Sequence, residues 1–574
     1  MKKIRFYKLA KLFSELEAVS SNLKMIDILS DFLKEITPQE AKMTAYLLSG
    51  KIAPDYIGGE LGLAEKLVIR SIAQAYNFSI EEVTKLFHKK GDLGLVCEEL
   101  ESKEKKGELT IDDVFEKLKQ ISKASGQGSQ EEKIMILANL LKQSSGLEAK
   151  YIVRIVLGAL RLGVGEMTFL YGISKALTGS KQAKKILERA YNILSDLGEV
   201  AYQAFYYGLK KLEKAEPILG IPIRMMLAQR IADLSEVKKH IPGKIFAEYK
   251  YDGERIQAHI KPNEIILYSR RHENITHQFP DVCANLKKSF KGKNAIVEGE
   301  VVAINKKTGD LEKFQTLMQR RRKHNIEKYV LEIPIKYFIF DILYLNNKSL
   351  LFNELISRKK HLEENFNQNN EINLAKYIIS SDISQVEDFF EEALACGAEG
   401  IMIKDALSLY QAGIRGWNWI KFKKDYKKEL VDTFDLVVVG ALYGAGKRAG
   451  TYGSLLLAAY DPKINKYYTF TKVGAGFTDK DLEELPKKLN KFKINEKHKL
   501  VETEMKADVW FEPKLVMEVE GAEITISPVH TVAKDKIKSG GLALRFPRFI
   551  RFRDDKSNEE STTVEEIYQM YKRA

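Results

Sequence analysis

The sequence predicts a multidomain chain: an all-α N-terminal part, a mixed α/β (α+β) middle and an all-β C-terminal part. Three observations carry this. Apolar residues recur at helical spacing through roughly the first third of the chain. Short β-type runs broken by helical stretches begin after Pro217, Gly220 and Pro222. Beyond the charge-dense stretch Lys421–Glu429 the remaining runs are almost all β-type. The expected domains are 1–215, 216–425 and 426–574.

A chain of 574 residues exceeds what one hydrophobic core can organise. With 44% hydrophobic and 30% charged residues it has the composition of a soluble globular protein. The net charge of +13 favours a polyanionic partner, and nucleic acid is the commonest one. Cys97, Cys283 and Cys396 lie far apart, which argues against a structural zinc site and a disulfide framework. Met1-Lys2-Lys3-Ile4-Arg5 lacks the apolar core of a signal peptide, and no run reaches the ~18 apolar residues of a membrane span. The expected location is the cytoplasm, with no membrane contact.

In the N-terminal part, Phe6, Leu9, Leu12, Phe13 and Leu16 mark a first helix, and Ile26, Leu29, Leu33 and Ile36 a second. Ser125–Gln130 is a polar loop. Ser129 and Glu132 form an S-x-x-E capping signal before the next helix. A further helix is expected over Tyr151–Leu162. In the middle part, strands are expected over Lys244–Lys250, Glu264–Ser269, Ala295–Ile304 and Ile335–Tyr344, with a helix over Val386–Ala395. In the last part they are expected over Phe434–Val439, Ser454–Tyr460, Tyr467–Val473 and Leu515–Val519, with a turn at Asp461-Pro462.

The chemistry concentrates in the middle part. Glu248-Tyr249-Lys250-Tyr251-Asp252-Gly253-Glu254-Arg255 reads as a strand entering a glycine turn. Strand alternation puts Glu248 and Lys250 on one face. Lys250, at the strand end, is placed as a nucleophile. K-x-D-G alone also arises by chance beside ordinary turns. A lysine amine has a pKa near ~10.4, so nucleophilicity near neutrality needs nearby cations or desolvation. Arg255 is one such cation. Lys421 and Lys423 are others, sharing a face in Trp417–Lys423 while Ile420 and Phe422 face a core. A phosphate site explains this pair better than a plain surface strand. Glu298 and Glu300 share one face of an apolar strand, and Glu399 enters another. Such carboxylates need partners, either Mg²⁺ with nucleotide phosphates or a structural salt bridge.

These motifs, in this order, resemble the covalent nucleotidyltransferase superfamily of polynucleotide ligases and mRNA-capping enzymes. Over essentially the whole chain the similarity is to ATP-dependent DNA ligases of the archaeal and eukaryotic replicative type. Arg161-Leu162-Gly163, Met226-Leu227-Ala228 and Leu544-Arg545-Phe546-Pro547-Arg548-Phe549 support that narrower match. The resemblance implies that Lys250 becomes adenylylated and that Glu248 helps read the adenine. It implies Arg255 near the nucleotide, Arg270 at ribose or phosphate, Glu300 at ribose or metal, and Phe340 stacked on the base. Glu399 becomes a metal-linked carboxylate, Arg415 and Lys421 contact phosphates, and Lys423 is a second lysine on the same strand. Asp252 would act in later steps.

The implied reaction is nick sealing in duplex DNA through lysine–AMP and DNA-adenylate intermediates, with ATP as AMP donor and Mg²⁺ as metal, in replication, repair and recombination. The implied architecture is a helical DNA-binding domain, the nucleotidyltransferase domain and an OB-fold. A sliding clamp is a partner by resemblance only, and the sequence offers no clamp-binding peptide. An RNA ligase or capping guanylyltransferase shares the first half-reaction, and a DNA-binding scaffold could keep the fold without it. The N-terminal helical part and the RFPRF segment favour the DNA ligase.

Other segments are less specific. Residues Arg545–Lys556 alternate cations with apolar residues, suiting a basic strand that the resemblance assigns to pyrophosphate orientation. Arg320–Lys323 suits phosphate contact or a solvated charge run. Gly444-Ala445-Gly446-Lys447-Arg448 has the wrong spacing for a phosphate loop, and Gly163-Val164-Gly165 is no dinucleotide fingerprint.

Overall fold

The computed structural model describes residues 3–101, 107–321, 326–423, 433–444, 451–537 and 540–573. Sequence readings at 322–323, 424–429 and 445–448 lie outside them. The chain divides into two compact units. One joins Met1–Tyr76 to Glu101–Lys427, and the other joins Asn77–Leu100 to Lys428–Ala574.

The N-terminal portion of the first unit is helical. Helix Phe6–Glu17 buries Phe6, Leu9, Leu12, Phe13 and Leu16, the stripe its spacing demands. Helix Asn22–Leu33 packs on Glu166–Thr178, where a Cβ on Gly172 would come within 2.9 Å of Leu29 Cβ. The expected cap at Ser129 is displaced. Gly128, at φ +83°, holds the N-cap position of helix Ser129–Gln143, and no side-chain cap bond forms. Ser145 and Glu148 instead form a capping box for helix Gly146–Val156. That helix stops at Val156, short of the expected Leu162, because Gly158 and Arg161 take positive φ.

Residues 216–423 supply two sheets. In chain order their strands are β1 (Leu227–Arg230), β2 (Ile245–Lys250), β3 (Glu254–Ile260), β4 (Ile265–Ser269), β5 (Ala295–Ala303), β6 (Ile335–Leu345), β7 (Lys348–Ser349), β8 (Ile372–Leu374), β9 (Tyr377–Ser380), β10 (Gly400–Asp405) and β11 (Arg415–Lys423). One sheet has the order β1-β11-β10-β2-β9; the other runs β4-β3-β5-β6-β7, with β8 on β6. Alternation divides each sheet cleanly. Tyr249, Ile401, Ile403, Ile420 and Phe422 enter a core with Phe389 and Phe390 of helix Ile383–Ala395. Ile256, Ala258, Val297 and Val301 enter another core with Val282 and Leu286 of helix Pro280–Ser289. The remaining faces carry polar residues such as Glu248, Gln257 and Glu298 beside buried apolar ones such as Ile296, Val302 and Trp419.

The second unit contains helices Ile80–Lys90 and Leu93–Leu100 and a β-rich C-terminal region. Its strands are β12 (Thr433–Tyr443), β13 (Tyr452–Asp461), β14 (Lys466–Val473), β15 (Lys493–Ile494), β16 (Val501–Glu502), β17 (Val509–Phe511), β18 (Val516–Glu520), β19 (Glu523–Ser527), β20 (Gly541–Arg545) and β21 (Arg548–Phe552). The run β15-β17-β12-β13-β14-β16 forms the main sheet, β18 joins β12 to β21, and β19 pairs with β20. Both faces of β12 are buried: Leu436 and Val438 enter one cluster, Val437 and Val439 another. That explains the unbroken apolar runs. The single basic strand expected within Arg545–Lys556 is instead broken. Phe546, at φ +52°, and Pro547 separate β20 from β21. Helices Asp479–Leu489 and Val564–Arg573 lay Leu485, Leu489 and Ile567 on the larger cluster; sequence periodicity had not singled them out.

Candidate active site

The antiparallel register of β2, β10 and β11 builds the site row by row. Lys250, Gly400 and Lys423 are aligned; so are Glu248, Met402 and Lys421, and then Phe246, Lys404 and Trp419. All nine residues share the face opposite the Phe389–Phe390 core. Two glycines make the close approach possible. A Cβ on Gly400, at φ +152°, would sit 2.2 Å from Phe422 O. A Cβ on Gly253 would sit 2.1 Å from Val301 O. Gly253 is therefore needed for space beside β5 rather than for a positive φ.

The sheets enclose a cavity of about 260 Å³. Its lining includes Glu248, Lys250, Arg255, Arg270, Glu300, Phe340, Arg415, Lys421 and Lys423. Tyr251, Met402 and Trp419 complete much of its apolar surface. Phe340 meets Trp419 edge-on at 6.2 Å, and Tyr251 stacks on Phe338 at 3.9 Å. Glu399, just before β10, lies between two ammonium groups: Lys250 Nζ at 2.7 Å and Lys423 Nζ at 2.6 Å. Its backbone N–H also donates to Lys250 O. Asp252 accepts from the Phe314 backbone N–H at 3.1 Å.

The electrostatics differ from the sequence expectation. Burial alone would lower the Lys250 pKa, but Glu399, Glu300 and Asp252 outweigh it, and the amine stays above the usual lysine range. Arg255 does not act as a free cation towards Lys250. Its guanidinium donates to Met226 O at 2.8 Å and to Glu298 at 2.8 Å. Lys421 does shift down, through burial and then through Lys423 and Lys250. Burial would raise Glu399, but Lys250 and Lys423 hold it at about 2. Glu300 is pushed up to about 7 by burial.

Glu298 and Glu300 share a strand face, as alternation requires, yet their surroundings differ. Glu298 is fully buried and accepts from Arg255, from Gln257 Nε2 at 3.0 Å and from the Tyr410 hydroxyl at 2.9 Å. It is a structural acceptor beneath the pocket. Glu300 opens into the pocket. Its oxygens beside the Glu399 carboxylate are donors that suit a hard divalent cation. Among the described residues no group of three His, Cys, Asp or Glu is set to hold a metal alone, so phosphate oxygens would complete such a site.

Sequence reasoning gave no role to Lys359, Lys404, Arg358 or Tyr410. Lys404 is fully buried, its Nζ 3.9 Å from the Trp419 ring centroid, and burial pushes it down to about 8. It pairs with Glu248, as does Lys359. Arg358 binds Asp341 through two hydrogen bonds, at 2.7 and 2.9 Å. The apolar strand around Lys404 was a usable signal, since a lysine there must find a buried partner.

A lysine amine at a strand end, facing an aromatic-walled pocket with cations along one side, suits nucleotidyl transfer. Comparison with known proteins narrows the class. Residues 225–423 match the model of the ATP dependent DNA ligase domain, 5–174 that of the DNA ligase N terminus, and 448–556 that of the ATP dependent DNA ligase C terminal region. The DNA ligase 2 of Thermofilum pendens is 45% identical over 98% of this chain and 96% of its own. The DNA ligase of Staphylothermus marinus is 44% identical over 99% and 98%. A solved structure described as Pmar-Lig_PreS3 shares the fold, with a TM-score of 0.53 at 19% identity over 95% of this chain and 99% of that one. The chain belongs to the ATP-dependent DNA ligases.

Proposed function

We propose that this ligase seals nicks in duplex DNA through an adenylate carried on Lys250. Shared facing of Lys250, Lys421 and Lys423, with Glu399 between two of them, is the observation that carries the reading. In the first transfer the Lys250 Nζ gives up a proton to solvent and bonds to the α-phosphorus of ATP. The bridging P–O bond breaks and pyrophosphate leaves. In the second, a 5′-phosphate oxygen of the nick takes the AMP, breaking the N–P bond. In the third, the 3′-hydroxyl attacks that 5′-phosphorus, loses its proton, and expels AMP. In-line geometry in the first two transfers is what a fixed strand-end lysine supplies.

Roles within the pocket follow from side-chain chemistry. Glu248 faces the adenine and Phe340 stacks on it. Arg255 and Arg270 flank the ribose and α-phosphate. Arg415, Lys421 and Lys423 offset phosphate charge. Glu300 and Glu399 would hold Mg²⁺, which when bound supplies charge neutralisation at the phosphates. Asp252 serves the later transfers. We place the domains at 1–215, 216–425 and 426–574 and read the last as an OB-fold. The protein works in the cytoplasm, with a sliding clamp as a further partner. Among the described residues no helix is long and apolar enough to cross a membrane.

The test is sealing of a nicked duplex that carries a 5′-phosphate, with Mg²⁺ and either ATP or GTP. Sealing with ATP supports the reading. A protein that binds the nick but never seals it, or takes label only from GTP, contradicts it.

A further inference from the structure

Glu248 is held in an unusual way for a residue that faces a ligand. Its side chain is 3% exposed, and each carboxylate oxygen meets a different ammonium group. Lys404 of β10 pairs with Oε1. Lys359 Nζ donates to Oε2 at 2.9 Å. The two lysines differ in position. Lys404 lies on the site face of the sheet, one row beyond Glu248. Lys359 reaches in from helix Leu355–Asn365, outside the sheet, and neither lysine is among the residues lining the cavity.

A second construction holds Lys359 itself. Its Nζ lies 5.0 Å from the Phe246 ring centroid and 5.5 Å from that of Tyr377. Those rings stack on each other at 4.4 Å. Phe246 precedes Glu248 by two residues on the same face of β2, and Tyr377 is the register partner of Glu248 on β9. Leu355, one turn earlier on the same helix, packs with Phe246 in a small satellite core. The ammonium is thus pinned by one helix, two rings and one carboxylate.

We propose that Lys359 is a positioning residue for purine selection: it fixes the Glu248 carboxylate so that a 6-amino purine is accepted and a 6-oxo purine is refused. This rests on the reading of Glu248 as the adenine-facing residue. A carboxylate has about four lone-pair sites, so one ion pair per oxygen leaves acceptor capacity on each. The 6-amino group of adenine donates to such an acceptor. The 6-oxo group of guanine or hypoxanthine sets acceptor against acceptor, and a site built around a fixed polar group rejects the mismatched partner strongly. Selectivity then depends on the carboxylate being unable to turn away. Lys404 alone fixes one oxygen and leaves rotation about it. Lys359 removes that freedom without touching the nucleotide.

The experiment measures Lys250 nucleotidylation with ATP and with inosine triphosphate in the full chain. Wild type, Lys359→Met, Lys359→Arg and Glu248→Gln are compared, with thermal melting of each. Sealing of a nick by enzyme adenylylated beforehand, without free nucleotide, is measured in parallel. Lys359→Met should raise the KM for ATP about tenfold, the scale of one charge-assisted hydrogen bond. Its KM for inosine triphosphate should fall as the freed carboxylate turns away from the 6-oxo group, while its sealing by the pre-formed adenylate should stay unchanged. Lys359→Arg should recover part of the selectivity, and it decides the matter if the methionine variant does not fold. Equal losses with both nucleotides, or an unchanged ratio between them, would overturn the proposal and leave Lys359 with a structural role. If Glu248→Gln itself keeps the wild-type ratio, the reading of Glu248 fails first. If only Glu248→Gln loses selectivity, Glu248 stands and the role of Lys359 falls.

Discussion

Asp341 and Arg358 show what single residues contribute beneath the pocket. Both side chains are fully buried and joined by two hydrogen bonds, and Arg358 also donates to Asn353 O at 2.7 Å. Removing one partner strands a charge where water cannot reach it. Asp341→Leu should therefore destabilise the fold by about 3–5 kcal/mol, read from the denaturant midpoint. The double variant Asp341→Leu with Arg358→Leu should recover much of that loss. Little of this network was legible in the sequence. Helix Leu355–Asn365 carries the run Arg358-Lys359-Lys360-His361, where Arg358 and Lys359 are buried and the Lys360 side chain is 76% exposed. Four adjacent basic residues give no periodic signal to separate them. Lys250, Glu300 and Lys421 were legible because strand alternation assigns each a face. The charge state of Lys250 was not, because three carboxylates from β5, the β2 end and the β10 entry meet only after folding.

Elements set the spacing of the site. Gly400 lets β10 lie between Lys250 and Lys423, so that both ammonium groups reach Glu399. An alanine there would put its Cβ against Phe422 O and demand a backbone conformation L side chains rarely adopt. Gly400→Ala should reduce Lys250 adenylylation at least about 100-fold, since a misplacement near 1 Å is enough for that. Transfer of labelled AMP from ATP to the protein checks it. The strands of this region were readable because their apolar residues alternate or run unbroken. The β20–β21 break was not, since Arg545–Lys556 keeps its alternation through the turn at Phe546. The end of helix Gly146–Val156 was missed for a similar reason: apolar spacing continues past the glycine that stops it.

Across the whole molecule, buried histidines link stability to acidity. His259 accepts the Gly220 N–H on Nδ1 at 3.0 Å, and its Nε2 lies 2.9 Å from Gln257 Oε1, so the neutral Nε2–H form fits. Burial, with Lys261 adding to it, lowers its pKa to about 3. The folded pKa lies below the unfolded one, so this contribution is complete above about pH 6.5 and is lost between there and about pH 3. Acidification from pH 7 to pH 5 should cost about 2 kcal/mol through His259 alone. His259→Asn should be less stable at pH 7 but show a shallower fall in melting temperature between pH 7 and pH 5; an equally steep fall would remove His259 from the account. The three-part layout was visible in composition and periodicity, whereas the grouping of Asn77–Leu100 with the C-terminal unit left no trace in the sequence, because such docking depends on surfaces rather than spacing.

The central claim is that Lys250 carries the nucleotide. The most direct measurement is mass-spectrometric mapping of the peptide adduct after incubation with ATP and Mg²⁺. The account predicts a single AMP adduct on Lys250, released by pyrophosphate and absent from Lys250→Ala. An adduct on Lys421, Lys423 or any other residue, or one that persists in Lys250→Ala, would contradict it.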